Sequence, residues 1–203
     1  MEMKSWQQKL LWTLDSLASP AGEIKIAIVG VGNRLYADDA IGLEIARYLQ
    51  STDLSGRDDR MILVTGPAPE SFCGVLRAFK PDLVLLIDAA SMGQAGGTIH
   101  WLDWDQMDGL KLSSRSYPLQ IMASYLTAEL GCVVGLLGVQ PGLVTLGMMS
   151  SSMMPRVMEI GGQLYKLLCL YDAHPSKRVH HARVHHRKRN HYGSENTTKI
   201  QPC

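Results

Sequence analysis

Apolar residues along the chain follow two alternating rhythms. From Trp6 to Leu17 they recur every three or four positions, as on an amphipathic helix, until Ser19-Pro-Ala-Gly22 breaks the pattern. Ile24 to Val29 is a short β-branched run ending in Gly30-Val-Gly32, which predicts a strand. A helix is expected from near Asp38, because two acids suit the positive end of a helix dipole. Its apolar stripe would be Ile41, Leu43, Ile45, Ala46 and Leu49. The alternation then repeats, with a strand at Met61–Thr65, a helix at Pro69–Lys80 and a fully apolar strand at Leu83–Ile87. Gly96 to Leu102 reads as a further strand after a glycine turn, and Pro118 to Leu130 as a helix with proline near its first turn. Cys132 to Val139 and Met153 to Tyr171 complete the series as strand and helix. Strands alternating with helices of this length predict a three-layer α/β/α sandwich with a mostly parallel central sheet.

Periodicity stops at His174. The run from His180 to His191 is basic and nearly free of large apolar residues, so disorder is expected there. The chain is therefore read as a folded α/β domain over 1–172 and a basic, His-rich tail over 173–203. The whole chain carries a net charge of +1; the tail holds seven Lys or Arg against one Glu, so its +6 leaves −5 for the rest. Six of the seven histidines lie in the tail. A metal-storing or nucleic-acid-attracting role and a merely solvated extension are both open to such a composition.

Composition narrows the classes. Hydrophobic residues make up 46% of the 203, enough to offset the entropy of ordering a domain. No apolar run reaches the roughly 18 residues of a membrane span, and the N-terminus lacks the apolar core of a secretory signal. The four cysteines are spaced like neither a zinc site nor a disulfide framework, which fits a reducing cytoplasm.

Ligands of parallel α/β sheets gather at the carboxyl ends of the strands. Asp38 and Asp39 follow the first strand and Asp88 closes the run Leu83–Ile87, so Asp39 and Asp88 can face one crevice if those strands are neighbours. Converging carboxylates share a proton, bind a hard cation or work as acid and base. The competing reading is that the acids cap a helix and a strand end. Gly30-Val-Gly32 resembles the start of a dinucleotide fingerprint, but Leu35 takes the place of its third glycine. Tight turns with a loop-stabilising Asn33 explain the segment equally well. The chain carries no Gly-x-Ser-x-Gly elbow and no P-loop.

The segment Ile26-Ala-Ile-Val-Gly-Val-Gly-Asn-Arg-Leu-Tyr-Ala-Asp-Asp-Ala-Ile-Gly42 closely resembles the opening signature of the nickel–iron hydrogenase maturation endopeptidases. Gly66 to Phe72, Pro81 to Ala90, and Gly138 to Gly142 followed by Ser150 to Val157 are similar to that family in the same order, and they point to its hydrogenase-3-type branch. The resemblance implies a cytoplasmic, aspartic-type endopeptidase that removes the C-terminal extension of a nickel-loaded hydrogenase large-subunit precursor. Nickel would arrive with that precursor, with no cofactor permanently bound. A monomer is expected, with neither nucleic acid nor membrane as partner.

In that family nickel meets an acid on the first loop, an Asp after the third strand and a His. The resemblance places the first two on Asp39 and Asp88, as catalytic and metal-facing residues. Gly30, Gly32, Asn33, Asp38 and Glu70 would flank the substrate, Asp38 by supporting the loop or helix start. The third position falls on Arg115, which has no lone pair to offer a metal. Substrate thiolates, His100 or a tail histidine are the candidates to replace it. The alternative is a nonproteolytic checkpoint protein that binds nickel or precursor through a degenerate site. Met148, Met149, Met153 and Met154 are read as core, with an adaptable surface for the precursor as the other possibility.

Overall fold

The computed structural model describes residues 3–18, 23–102, 111–112 and 116–173, with the backbone alone at 111–112 and 116–118. The tail from His174 and the position of Arg115 lie outside the described residues. Met1–Leu167 form one compact unit and Leu168–Cys203 a second.

Among the described residues there are six strands: β1 (Ile26–Val31), β2 (Arg60–Gly66), β3 (Leu83–Ser91), β4 (Ile99–Leu102), β5 (Lys111–Leu112) and β6 (Val133–Val139). The helices are α1 (Ser5–Leu17), α2 (Ile41–Gln50), α3 (Cys73–Phe79), α4 (Ser116–Leu130) and α5 (Met153–Asp172). The sheet order is β2-β1-β3-β6-β4, with β5 attached to the end of β3. Pairing is parallel from β2 to β6 and antiparallel at β4, the edge. The sandwich expected from the alternation is thus present.

All six residues of β1 are buried, because helices cover both its faces. On one face Ala27, Val29 and Val31 join Val84, Leu86 and side chains of α4 such as Met122 and Leu126 in a single apolar cluster. On the other, α2 lies so close that a Cβ on Gly30 would stand 2.3 Å from the Gly42 carbonyl oxygen. Gly42 is tighter still, its missing Cβ directed 2.1 Å from the Ile87 oxygen and 2.4 Å from that of Val31. Gly30 of β1 and Gly42 of α2 therefore let the helix sit closely on β1 and β3. Gly42→Ala is expected to cost about 3 kcal/mol by forcing α2 off the sheet. Gly56→Ala, with nothing within 4 Å of the new methyl, should be nearly neutral. Urea denaturation of the two variants checks both.

Several boundaries differ from the pattern. The helix expected from Asp38 starts at Ile41, after a 3-10 turn over Ala37–Ala40, and no side chain caps it. The helix expected over Pro69–Lys80 is a 3-10 turn (Pro69–Phe72) followed by α3, which ends where Lys80 turns left-handed (φ 55°). Asp88 does not close its strand, because β5 pairs with Ala90 and Ser91 and carries β3 three residues further.

Where β2 begins, Asp59 accepts two hydrogen bonds from Arg57 (2.9 and 2.8 Å) and faces the buried Arg60 at 2.9 Å. Burial alone would raise the Asp59 pKa, but the Arg57 hydrogen bonds and the Arg60 and Arg57 charges hold it below the ordinary value of 3.8. A depressed folded pKa gives stability that is complete above 3.8 and is lost as pH falls through the lower, folded value. The denaturation midpoint should fall on acidification below that range, and Asp59→Asn should show a smaller fall between pH 5 and pH 2.5.

Among the described residues, no helix is long and apolar enough to cross a membrane.

Candidate active site

The chain leaves β1, forms β2 on one side of it and returns to form β3 on the other, so a crevice opens between the carboxyl ends of β1 and β3. Two buried carboxylates stand there. Asp39, in the 3-10 turn packed against β3, is 5% exposed, and its buried Oδ1 has no hydrogen-bond partner among the described residues. Asp88, on β3 itself, is 1% exposed and accepts the Ala89 amide at 2.8 Å. A buried carboxylate oxygen without a donor costs stability, and functional sites are where such a cost is tolerated.

Asp38 behaves differently from its neighbour. It is fully buried, and one of its oxygens accepts the amides of Gly142 (3.1 Å) and Leu143 (2.8 Å). The other accepts the amide and hydroxyl of Ser150, both at 2.8 Å. Asp38 thus does not cap α2; it latches the loop between β6 and α5 to the loop that carries Asp39. Nothing in the local sequence signals this, since the partners lie more than a hundred residues away.

Gly32 (φ 143°) lets the chain pass the Asp39 carbonyl, which a Cβ there would meet at 2.0 Å. Asn33 closes the turn, its Oδ1 accepting the Leu35 amide at 3.1 Å. Glu70 is exposed at the start of its 3-10 turn, which packs against α4. Burial and then the Glu70 charge push the Cys73 thiol up, so it does not offer a ready thiolate nucleophile.

His100 sits on one rung with Asp88, separated only by Gly138 of β6. Even so, among the described residues no three His, Cys, Asp or Glu side chains gather closely enough to hold a metal ion. Gln140, buried at the end of β6, accepts the amides of Met92 (2.6 Å) and Gln94 (3.2 Å) and so fixes the loop after β3. Its place in the Gly138–Gly142 segment was the one available signal.

Fold and site define a three-layer α/β protein with a crevice built on buried carboxylates at the sheet's switch point. No family model matches the chain. A solved NiFe hydrogenase maturation protease from Thermococcus kodakarensis is 34% identical and superposes with a TM-score of 0.65, covering 73% of this chain and 94% of that one. The hydrogenase 3 maturation protease of Escherichia coli K12 is 28% identical over 115 residues, 56% of this chain and 71% of that one. The maturating endopeptidase HybD of Escherichia coli shares the fold, with 24% identity over 70% of this chain and 90% of that one, and a TM-score of 0.57. The chain belongs to the NiFe hydrogenase maturation proteases. Its relatives are named as proteases, which does not favour the nonproteolytic reading.

Proposed function

We propose that the protein is an endopeptidase that trims the C-terminal extension from a nickel-loaded hydrogenase large-subunit precursor. The observation that carries the reading is the buried, unpartnered Oδ1 of Asp39 at the switch point that also holds Asp88. Such an oxygen is a ready acceptor for a cation or a proton that arrives with the substrate. Nickel accepts mixed oxygen and sulfur ligation, so both carboxylates suit a metal already held by thiolates of the precursor. On this reading nickel is part of the substrate and sets the register of the polypeptide over the crevice.

Hydrolysis needs a base for the attacking water and an acid for the leaving amine. One carboxylate takes the water proton as the carbon–oxygen bond forms at the scissile carbonyl. The same proton passes to the nitrogen as the carbon–nitrogen bond breaks, leaving a new C-terminal carboxylate and a free peptide. The precursor's thiolates stand in for the third family ligand, so Arg115 has no metal to bind.

Incubating the protein with nickel-loaded and nickel-free precursor, and weighing the products by mass spectrometry, tests this. A single C-terminal peptide released only from the loaded precursor is expected. Equal cleavage of both forms would remove nickel from the account.

A further inference from the structure

Beside the crevice lies a surface that the proteolytic chemistry does not use. From Leu130 to Pro155 the sequence contains no charged residue. The loop between β6 and α5 turns its apolar side chains to water: Leu143 is 48% exposed, Val144 49%, Leu146 75% and Met148 91%. Leu35 (66%) and Tyr36 (40%) of the first loop adjoin them. The two loops are joined along their backbones. Gly147 donates to Leu35 at 3.0 Å and accepts from Ala37 at 2.9 Å, and Asp38 donates its amide to Leu143 at 3.0 Å. The Asp38 carboxylate ties down both ends of the longer loop, at Gly142–Leu143 and at Ser150. Of the paired methionines, only Met153 is core, at 2% exposed.

This platform is fastened from behind by a buried charge while its outer side chains stay in water. Holding apolar groups fixed and exposed lowers the cost of ordering them on binding, and grouped exposed apolar residues mark interaction sites. Its position selects the occupant. An endopeptidase substrate is continuous on both sides of the cut, advancing about 3.3 Å per extended residue. Leu35 and Tyr36 stand four and three residues before Asp39 in the chain, so residues flanking a bond held at Asp39 run onto the platform. We propose that Leu35, Tyr36, Leu143, Val144, Leu146 and Met148 form the docking surface for an apolar, uncharged segment of the precursor next to its cleavage site. The proposal rests on the function given above and adds the surface that sets precursor affinity.

The test compares the unmodified protein with Leu146→Glu/Met148→Glu, using the nickel-loaded precursor of the same organism and measuring both binding and cleavage. The double variant should raise KM roughly tenfold or more while kcat stays within about twofold. Leu146→Ile/Met148→Leu should restore KM, because apolarity and volume are kept. Trp12→Glu, a change at another exposed apolar side chain, should leave KM unchanged. An unchanged KM in the double Glu variant overturns the proposal. So does a KM that stays fixed while the variant converts a dimer to a monomer, which would make a second copy the occupant. If the unmodified protein binds the precursor without cutting it, the proteolytic reading fails. The docking surface then stands on a tenfold or greater loss of binding in the double Glu variant and falls without one. Absence of any binding overturns both.

Discussion

Asp39→Asn is expected to lower precursor processing by about three orders of magnitude while leaving the melting temperature unchanged or slightly higher. The residue is 5% exposed and its Oδ1 has no donor among the described residues, so as a carboxylate it contributes little to the fold that an amide of the same shape would not. Loss of activity with stability kept is the signature of a group placed for chemistry at some cost to the fold. Asp88→Asn should abolish processing in the same way. Its retained Oδ1 can still accept the Ala89 amide. Initial rates on the loaded precursor, beside melting curves, check both variants. Normal cleavage by either would remove that residue from the catalytic pair.

Asp38→Ala, one position away, should do the opposite. It takes the acceptor from the part-buried amides of Gly142, Leu143 and Ser150, at a cost of about 3 kcal/mol. Asp38→Asn keeps one acceptor oxygen but turns an NH2 group towards amide donors, and should cost about half as much. Urea denaturation at neutral pH measures these losses. Processing should fall in step with the population of the folded loop rather than ahead of it. On the proposed function, two adjacent buried acids thus separate into a latch that carries stability and a site residue that carries activity. A drop in activity from Asp38→Asn with no drop in stability would contradict that division.

Much of the fold was legible because it rests on local patterns. β-Branched runs that are apolar on both faces become the inner strands, and the stripe from Ile41 to Leu49 becomes the buried side of α2. The proximity of Asp39 to the β3 strand that carries Asp88 followed from the usual order of such sheets, and β1 does pair with β3. What escaped the pattern depends on contacts distant in sequence. Asp38 looked like a helix-start acid because dipole logic sees only its own turn, whereas its partners lie on the loop before α5. The two-residue β5 is too short for any periodicity to announce, yet it extends β3 beyond Asp88. Met148 reads as core by residue type and is 91% exposed, because backbone bonds to the first loop hold its segment outward.

The central claim is that this chain, with Arg115 at the position where the family resemblance implies a histidine ligand, is a working protease. The most direct measurement is processing of the nickel-loaded precursor by the unmodified protein beside an Arg115→His variant. The account predicts that the unmodified protein releases the C-terminal peptide. Cleavage only by the Arg115→His variant, or by neither protein, would contradict it.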